Sequence, residues 1–78
     1  MNGKRETKRT WQYETHGEGY RLYRFEDGKS MAVYEAYPDY ERQEWQVRLL
    51  RILCDHKSYD WKAIRRVDMS DVRERRRV

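Results

Sequence analysis

The chain has 78 residues and a formal net charge of +4, with 41% charged and 37% hydrophobic residues, and this length supports one domain with a small core. Such low hydropathy is typical of disorder, but three Trp, seven Tyr and one Phe favour a folded chain, because each aromatic side chain buries a large area. No apolar stretch approaches the ~20 residues that span a bilayer, and the basic first ten residues lack the apolar segment of a secretory signal.

Charge is divided unevenly along the chain. Residues 1–10 have four basic and one acidic residue, residues 61–78 have seven and three, and residues 11–60 have seven and ten. The basic ends therefore favour an electrostatic role, either with an outside partner or by folding back on the acidic centre or on a second copy. Cys54 is the one cysteine, which excludes an intramolecular disulfide and predicts a reducing, cytoplasmic setting.

The first half of the chain alternates as strands do. Two turn signals divide it: the glycines Gly17 and Gly19 accept the positive φ of a tight connection, and Asp27-Gly28 is a strong signal for a type I′ hairpin. The pattern predicts a three-stranded antiparallel meander that begins at Thr10.

The second turn fixes a register, and the register decides which side chains share a face. It pairs Glu26 with Lys29, Arg24 with Met31, Leu22 with Val33 and Tyr20 with Glu35, and it places Tyr13 beside Leu22 and Trp11 beside Arg24. The predicted core face holds Trp11, Tyr13, Tyr20, Leu22, Met31 and Val33. The predicted second face is unusually aromatic and holds Arg21, Tyr23, Phe25, Ala32, Tyr34 and Ala36.

After Pro38 the sequence favours a helix that ends near Lys57. Asp39, Glu41 and Glu44 suit its positive end and Lys57 suits its negative end. One arc of the helical wheel holds Trp45, Leu49, Ile52 and Leu53, and Val47, Leu50 and Cys54 widen it. This amphipathic helix is expected to cover the core face of the sheet.

Residues 61–69 fit a fourth strand, although a helix stays open as an interpretation. Ser70 and Asp71 then cap a basic tail that is either a short helix or frayed. The predicted organisation is a flexible basic arm (residues 1–9), a single α+β domain (residues 10–69) and a basic C-terminal tail (residues 70–78). The fold is α+β, with the meander, one amphipathic helix packed on one face, a fourth strand and the tail.

No catalytic or metal motif is present, so we expect neither an enzyme nor a cofactor, and no small-molecule substrate. Cys54 and His56 are two residues apart and do not face each other on a helix. Together with Asp60 they are too few and too scattered for a zinc site, which needs three or four donors at recurring spacings. Gly17 and Gly19 precede a strand, which does not suit a phosphate loop.

The aromatic second face and the basic ends carry the functional hypotheses. Outward aromatic rings stack bases while arginines bind phosphates, but another protein layer can equally cover such a face. The candidate contact residues are Lys8, Arg9, Arg21, Tyr23, Phe25, Tyr34, Arg65, Arg66, Arg75, Arg76 and Arg77.

We therefore expect a small accessory protein that contacts nucleic acid or a nucleoprotein complex. The alternative is a protein-binding inhibitor or adaptor of phage or mobile-element type, acting on a host nucleic-acid-handling or defence complex. A homodimer is expected slightly more often than a monomer, because a second copy would help so small and polar a chain to stay folded. No membrane partner is expected.

Overall fold

The structure is a computed structural model that describes residues 9–54 and 61–75. Strands account for 69% of the described residues. A further 10% is helical and forms two single turns of 3₁₀ helix. The strands are β1 (Arg9–His16), β2 (Gly19–Glu26), β3 (Lys29–Asp39), β4 (Glu44–Ile52), β5 (Arg66–Asp68) and β6 (Val72–Glu74). The 3₁₀ turns are Trp61–Ala63 and Met69–Asp71, and the second is called the bridge below.

One curled sheet contains all six strands, in the order β5-β4-β3-β2-β1-β6. Neighbouring strands are antiparallel, except that β6 runs parallel to β1. The two edge strands are consecutive in the chain, and the bridge alone connects them. Because so short a connection joins opposite edges, the sheet has to curl, and the result is a six-stranded half-barrel.

The predicted hairpin turn at Asp27-Gly28 is confirmed, whereas in the first turn Gly17 has a positive φ, of 60°, and Gly19 does not. Asp27 and Gly28 have φ angles of 50° and 81°, as a type I′ turn requires at both central residues. The register between β1 and β2 also agrees, since Trp11 pairs with Arg24 and Tyr13 with Leu22.

The predicted register between β2 and β3 is wrong beyond the turn. A bulge next to Phe25 shifts the pairing, so that Arg24 lies opposite Ala32 and Leu22 opposite Tyr34. Because side chains alternate between faces, a slip of one residue exchanges the faces of β3. Tyr34 therefore points into the core and is fully buried, whereas Val33 moves to the other face.

The predicted amphipathic helix after Pro38 is wrong, and so is the α+β fold class. Residues Glu44–Ile52 form β4, where Val47 pairs with Ala36 and Leu49 with Tyr34. Pro38 does not end a strand either, because it lies within β3.

The periodicity of this segment explains the error. Trp45 and Leu49 are four residues apart and share a face on both a helix and a strand. Trp45, Val47 and Leu49 also alternate with Gln46 and Arg48, and this period of two is the one that the fold follows.

The acidic residues that suggested a helix start lie at the turn between β3 and β4: Asp39 ends β3, Glu41 is in the turn and Glu44 begins β4. The backbone N–H of Arg42 donates to Asp39 Oδ1 over 3.2 Å, and Gln43 adopts a φ of 56°. An Asp side chain that bonds the backbone three residues on favours a turn as readily as a helix start.

The last segment differs from the predicted long strand and helical or frayed tail. Residues Trp61–Ala63 form a 3₁₀ turn, and the strand that follows, β5, has three residues. Asp68, rather than Ser70 or Asp71, caps the bridge, and Val72–Glu74 then joins the sheet as β6.

The core lies on the concave side of the sheet, so the curl takes the place of the predicted helix layer. It is built from Trp11, Leu22, Met31, Ala32, Tyr34, Ala36, Trp45, Val47, Trp61 and Val67. Trp61 is 1% exposed, and its carbonyl accepts a hydrogen bond of 3.1 Å from the hydroxyl of Tyr34. No helix in the described ranges is long and apolar enough to cross a membrane.

Candidate anion-binding site

A cleft of about 610 Å³ opens at the end of the half-barrel where β1 begins, and four of its lining residues are arginines. We call it the cationic cleft. It is lined by Arg9, Thr10 and Trp11 from β1, Arg24 from β2, Ile64, Arg66, Val67 and Asp68 from β5 and its approach, and Ser70, Asp71 and Arg73 from the bridge and β6.

Arg24 is the buried member of the cationic cleft, with 5% of its surface exposed. Its guanidinium carbon lies 5.0 Å from the ring centroid of Trp11 and 5.3 Å from that of Trp61. A guanidinium at such distances from two indole rings is held by cation–π attraction. The predicted register already placed Arg24 beside Trp11 on the core face, but a charged residue was not expected there.

Arg9 and Arg66 form the exposed walls of the cationic cleft, with side chains 56% and 54% exposed. Arg9 lies 4.0 Å from Glu26, and Arg66 lies 3.8 Å from Glu44. Exposed ion pairs contribute little free energy, about 0–1 kcal/mol. These guanidiniums can therefore exchange a carboxylate for a phosphate at small cost.

The lining of the cationic cleft itself contains two carboxylates, Asp68 and Asp71, in addition to the Glu26 and Glu44 carboxylates that pair with Arg9 and Arg66. Asp68 accepts from the backbone N–H of Ser70 over 2.9 Å and from the Ser70 hydroxyl over 2.8 Å. These hydrogen bonds lower the pKa of Asp68, so the carboxylate is committed to the bridge. The exposed guanidiniums of Arg9, Arg66 and Arg73, with the hydroxyl group of Thr10, can bind anionic oxygens.

Tyr23, a predicted base-stacking residue, is covered by its own chain. The Arg75 guanidinium lies 4.5 Å from the centroid of the Tyr23 ring, and Arg75 also approaches Glu14 within 3.8 Å. Burial and a hydrogen bond to Glu14 raise the pKa of the Tyr23 hydroxyl. Within the described residues, the basic tail thus folds back through Arg75 onto Glu14, a residue of the acidic centre.

The bulge divides the rest of the predicted aromatic platform. Phe25 and Arg21 are half-buried and stay on the outer face, whereas Tyr34 lies in the core and cannot stack a base. Arg65 is exposed, but it does not line the cationic cleft; its carbonyl accepts a 2.9 Å hydrogen bond from Val47.

Of the predicted contact residues, the cationic cleft brings Arg9 and Arg66 together. Charge runs indicated these two, while Arg24 and Arg73 were missed because each stands among apolar or acidic neighbours in the sequence. Lys8, Arg76 and Arg77 lie outside the described residues, as do His56 and Asp60. Among the residues that the structure describes, no three His, Cys, Asp or Glu side chains are grouped as a metal site would require.

Comparisons with models of protein families, with curated proteins and with solved structures each found no match to this chain.

Proposed function

We propose that this protein binds the phosphate backbone of a nucleic acid through the cationic cleft. The observation that carries the proposal is the convergence of arginines from β1, β2, β5 and β6 on one cleft. Arginine presents several N–H donors in a planar fork that matches the oxygens of a phosphate. The exposed members of this set, Arg9, Arg66 and Arg73, come from β1, β5 and β6.

The same geometry favours contact with the backbone rather than with bases. Trp11, the ring that lines the cleft, is 7% exposed and already faces Arg24, so it offers no open surface to a base. Contacts to phosphates position a protein without reading sequence, and their affinity falls with salt. The expected mode is therefore binding with little sequence preference, which suits an accessory protein.

Titration of fluorescently labelled DNA and RNA of mixed sequence, followed by anisotropy across a salt series, tests this proposal. Arg66→Gln and Arg73→Gln should each weaken binding and reduce the salt slope by about 1, because each removes one phosphate contact. Arg48→Gln is the matched control, since Arg48 lies on the outer face of β4 and pairs with Glu35 at 3.2 Å. Absence of binding at low salt, or equal losses in all three variants, would refute the proposal.

Protein binding is the second candidate, and exposed apolar side chains at the end of β4 favour it. Leu50, Ile52 and Leu53 are 42%, 42% and 40% exposed, and they adjoin the exposed Arg51. Apolar side chains next to an arginine are common at the centre of protein interfaces. If this patch joins two copies, wild type should sediment as a dimer and Leu50→Lys as a monomer; a monomeric wild type excludes the homodimer.

A further inference from the structure

A second pocket, of about 260 Å³, lies on the concave face at the end opposite the cationic cleft. We call it the aromatic pocket. It is lined by Tyr13 from β1, Tyr20 from β2, Tyr40 from the β3–β4 turn, Trp45 from β4, Met69 from the bridge and Val72 from β6.

Three rings of the aromatic pocket are tilted against one another and so form walls instead of a parallel stack. The centroid of Trp45 lies 5.3 Å from that of Tyr13 and 5.2 Å from that of Tyr20, with interplanar angles of 35° and 70°. Tyr13 and Tyr20 are 6.1 Å apart at 66°. Trp45 is 6% exposed and forms the floor, whereas Tyr40 is 68% exposed and forms an open wall.

The turn holds the Tyr40 wall in place. The backbone carbonyl of Tyr40 accepts a 2.7 Å hydrogen bond from the side-chain amide of Gln43, and Asp39 accepts from the backbone of Arg42. A large ring this exposed gains little stability from burial. An exposed tyrosine on a hydrogen-bonded turn, beside three other rings, can serve as the wall of a binding site.

The charges around the aromatic pocket favour a cation. None of the described residues that line it is Lys, Arg or His, and no described cation lies over the rings of Tyr13, Tyr20 or Trp45. Glu74 pairs with Tyr13 in the register of β6 and β1, and burial together with the Glu74 carboxylate raises the pKa of the Tyr13 hydroxyl. Aromatic faces and a neighbouring carboxylate both attract a positive group.

The lining also selects among cations. A primary ammonium has three N–H donors, and ring faces, a thioether and a valine satisfy them less well than water does, even with tyrosine hydroxyls in the lining. A methylated ammonium presents apolar methyl groups and keeps its charge. Aromatic cages of this composition suit that group.

The strand beside the pocket indicates that a peptide carries the group. β6 pairs with β1 along Trp11–Tyr13 and is an edge strand among the described residues, and an edge strand can pair with an extended chain. We propose that the aromatic pocket binds the methylated side chain of a lysine in an extended peptide that lies along β6. This proposal is independent of nucleic-acid binding.

NMR titration tests it, with the indole N–H of Trp45 as the reporter. The probes are a short peptide with one central lysine, in unmodified and trimethylated forms, and tetramethylammonium ion as a source without a peptide. We expect the trimethylated peptide to shift the Trp45 signal and to bind at least about tenfold more tightly than the unmodified peptide. Tetramethylammonium should bind more weakly than the trimethylated peptide.

Tyr40→Ala should lower the affinity for the trimethylated peptide about tenfold, because it removes an exposed wall of the pocket without opening the core. The matched control is Tyr37→Ala, because Tyr37 is 54% exposed, lies in β3 and does not line the pocket. Equal affinity for the two peptides, or an unchanged affinity in Tyr40→Ala, would overturn the proposal. Binding of tetramethylammonium as tight as that of the peptide would overturn the peptide as occupant.

Discussion

The cationic cleft and the aromatic pocket both contain aromatic side chains, but they differ in whether a cation of the protein lies against the rings. At the cationic cleft, the rings of Trp11 and Trp61 hold the guanidinium of Arg24. At the aromatic pocket, the described chain places no cation over the rings, and the carboxylate of Glu74 stands beside them. One end thus carries its own cation and offers positive charge outward, while the other offers ring faces to a cation from outside.

The bridge keeps these two ends apart while contributing to both. Met69 and Val72 line the aromatic pocket, whereas Ser70 and Asp71 line the cationic cleft. The backbone N–H of Met69 also donates to the carbonyl of Gln43 over 2.9 Å, which ties the bridge to the β3–β4 turn. Substitutions near the bridge can therefore affect one site or both. Measuring ligand binding at both sites distinguishes a local effect from a loss of the whole fold.

Trp61→Ala should produce the largest effect, because it removes a side chain that is 1% exposed from the centre of the core. The free energy of unfolding is expected to fall by about 3–5 kcal/mol, a large share of what a small domain has. Both sites should weaken, and the cationic cleft more, since the Trp61 ring also packs on Arg24. Urea denaturation measures the loss.

Arg65→Ala is the control for that substitution. Arg65 is exposed and lies in the same segment, so the expected change is within about 0.5 kcal/mol. A loss below about 1 kcal/mol in Trp61→Ala would mean that the core does not depend on this ring.

Arg73→Gln and Glu74→Gln should have intermediate and opposite effects. These adjacent residues of β6 point to opposite sides, since side chains alternate along a strand; Arg73 lines the cationic cleft and Glu74 bonds Tyr13. Arg73→Gln should weaken oligonucleotide binding several-fold and leave the trimethylated peptide unaffected. Glu74→Gln should do the reverse, and it should also lower the pKa of Tyr13, which burial and Glu74 raise.

Both variants are measured by anisotropy with the oligonucleotide and by NMR with the peptide, so that the affinity of each ligand is compared between them. If either variant weakens both ligands equally, the two ends act as one site, and the comparison between them fails.

The parts of the fold that sequence predicts are those that depend on local backbone chemistry. Asp27-Gly28 needs two positive φ angles whatever the rest of the chain does, and the β1–β2 register follows from a short turn. The bulge that turns Tyr34 inward has no such local signal. It depends on the curvature that the whole sheet adopts.

The candidate site shows the same limit. Charge alone indicated Arg9 and Arg66. These residues line one cleft because the sheet curls and the bridge joins its two edge strands, β5 and β6. That arrangement requires residues 44–52 to be a strand, and their pattern fits a helix as well. Because a helix was predicted for these residues, neither the half-barrel nor the cleft could be predicted from the sequence.

The smallest expected effect lies on the bridge and depends on pH. Hydrogen bonds from Ser70 lower the pKa of Asp68 below its usual 3.8. A carboxyl with a lowered folded-state pKa stabilises the folded chain above pH 3.8, and this contribution is lost as pH falls through the lower value. Asp68→Asn should remove that acid dependence while changing neutral stability little, because asparagine also accepts the Ser70 hydrogen bond.

An acid titration of the Ser70 amide by NMR, with denaturation at each pH, measures the contribution of Asp68. Glu35→Gln is the control, because hydrogen bonds from Tyr37 and Arg48 also lower the pKa of Glu35, but on the outer face. Only Asp68→Asn should abolish the Ser70 shift. If the Ser70 amide signal instead titrates at the ordinary aspartate pKa, Asp68 does not stabilise the bridge. Another interaction would then have to hold the bridge in place between the cleft and the pocket.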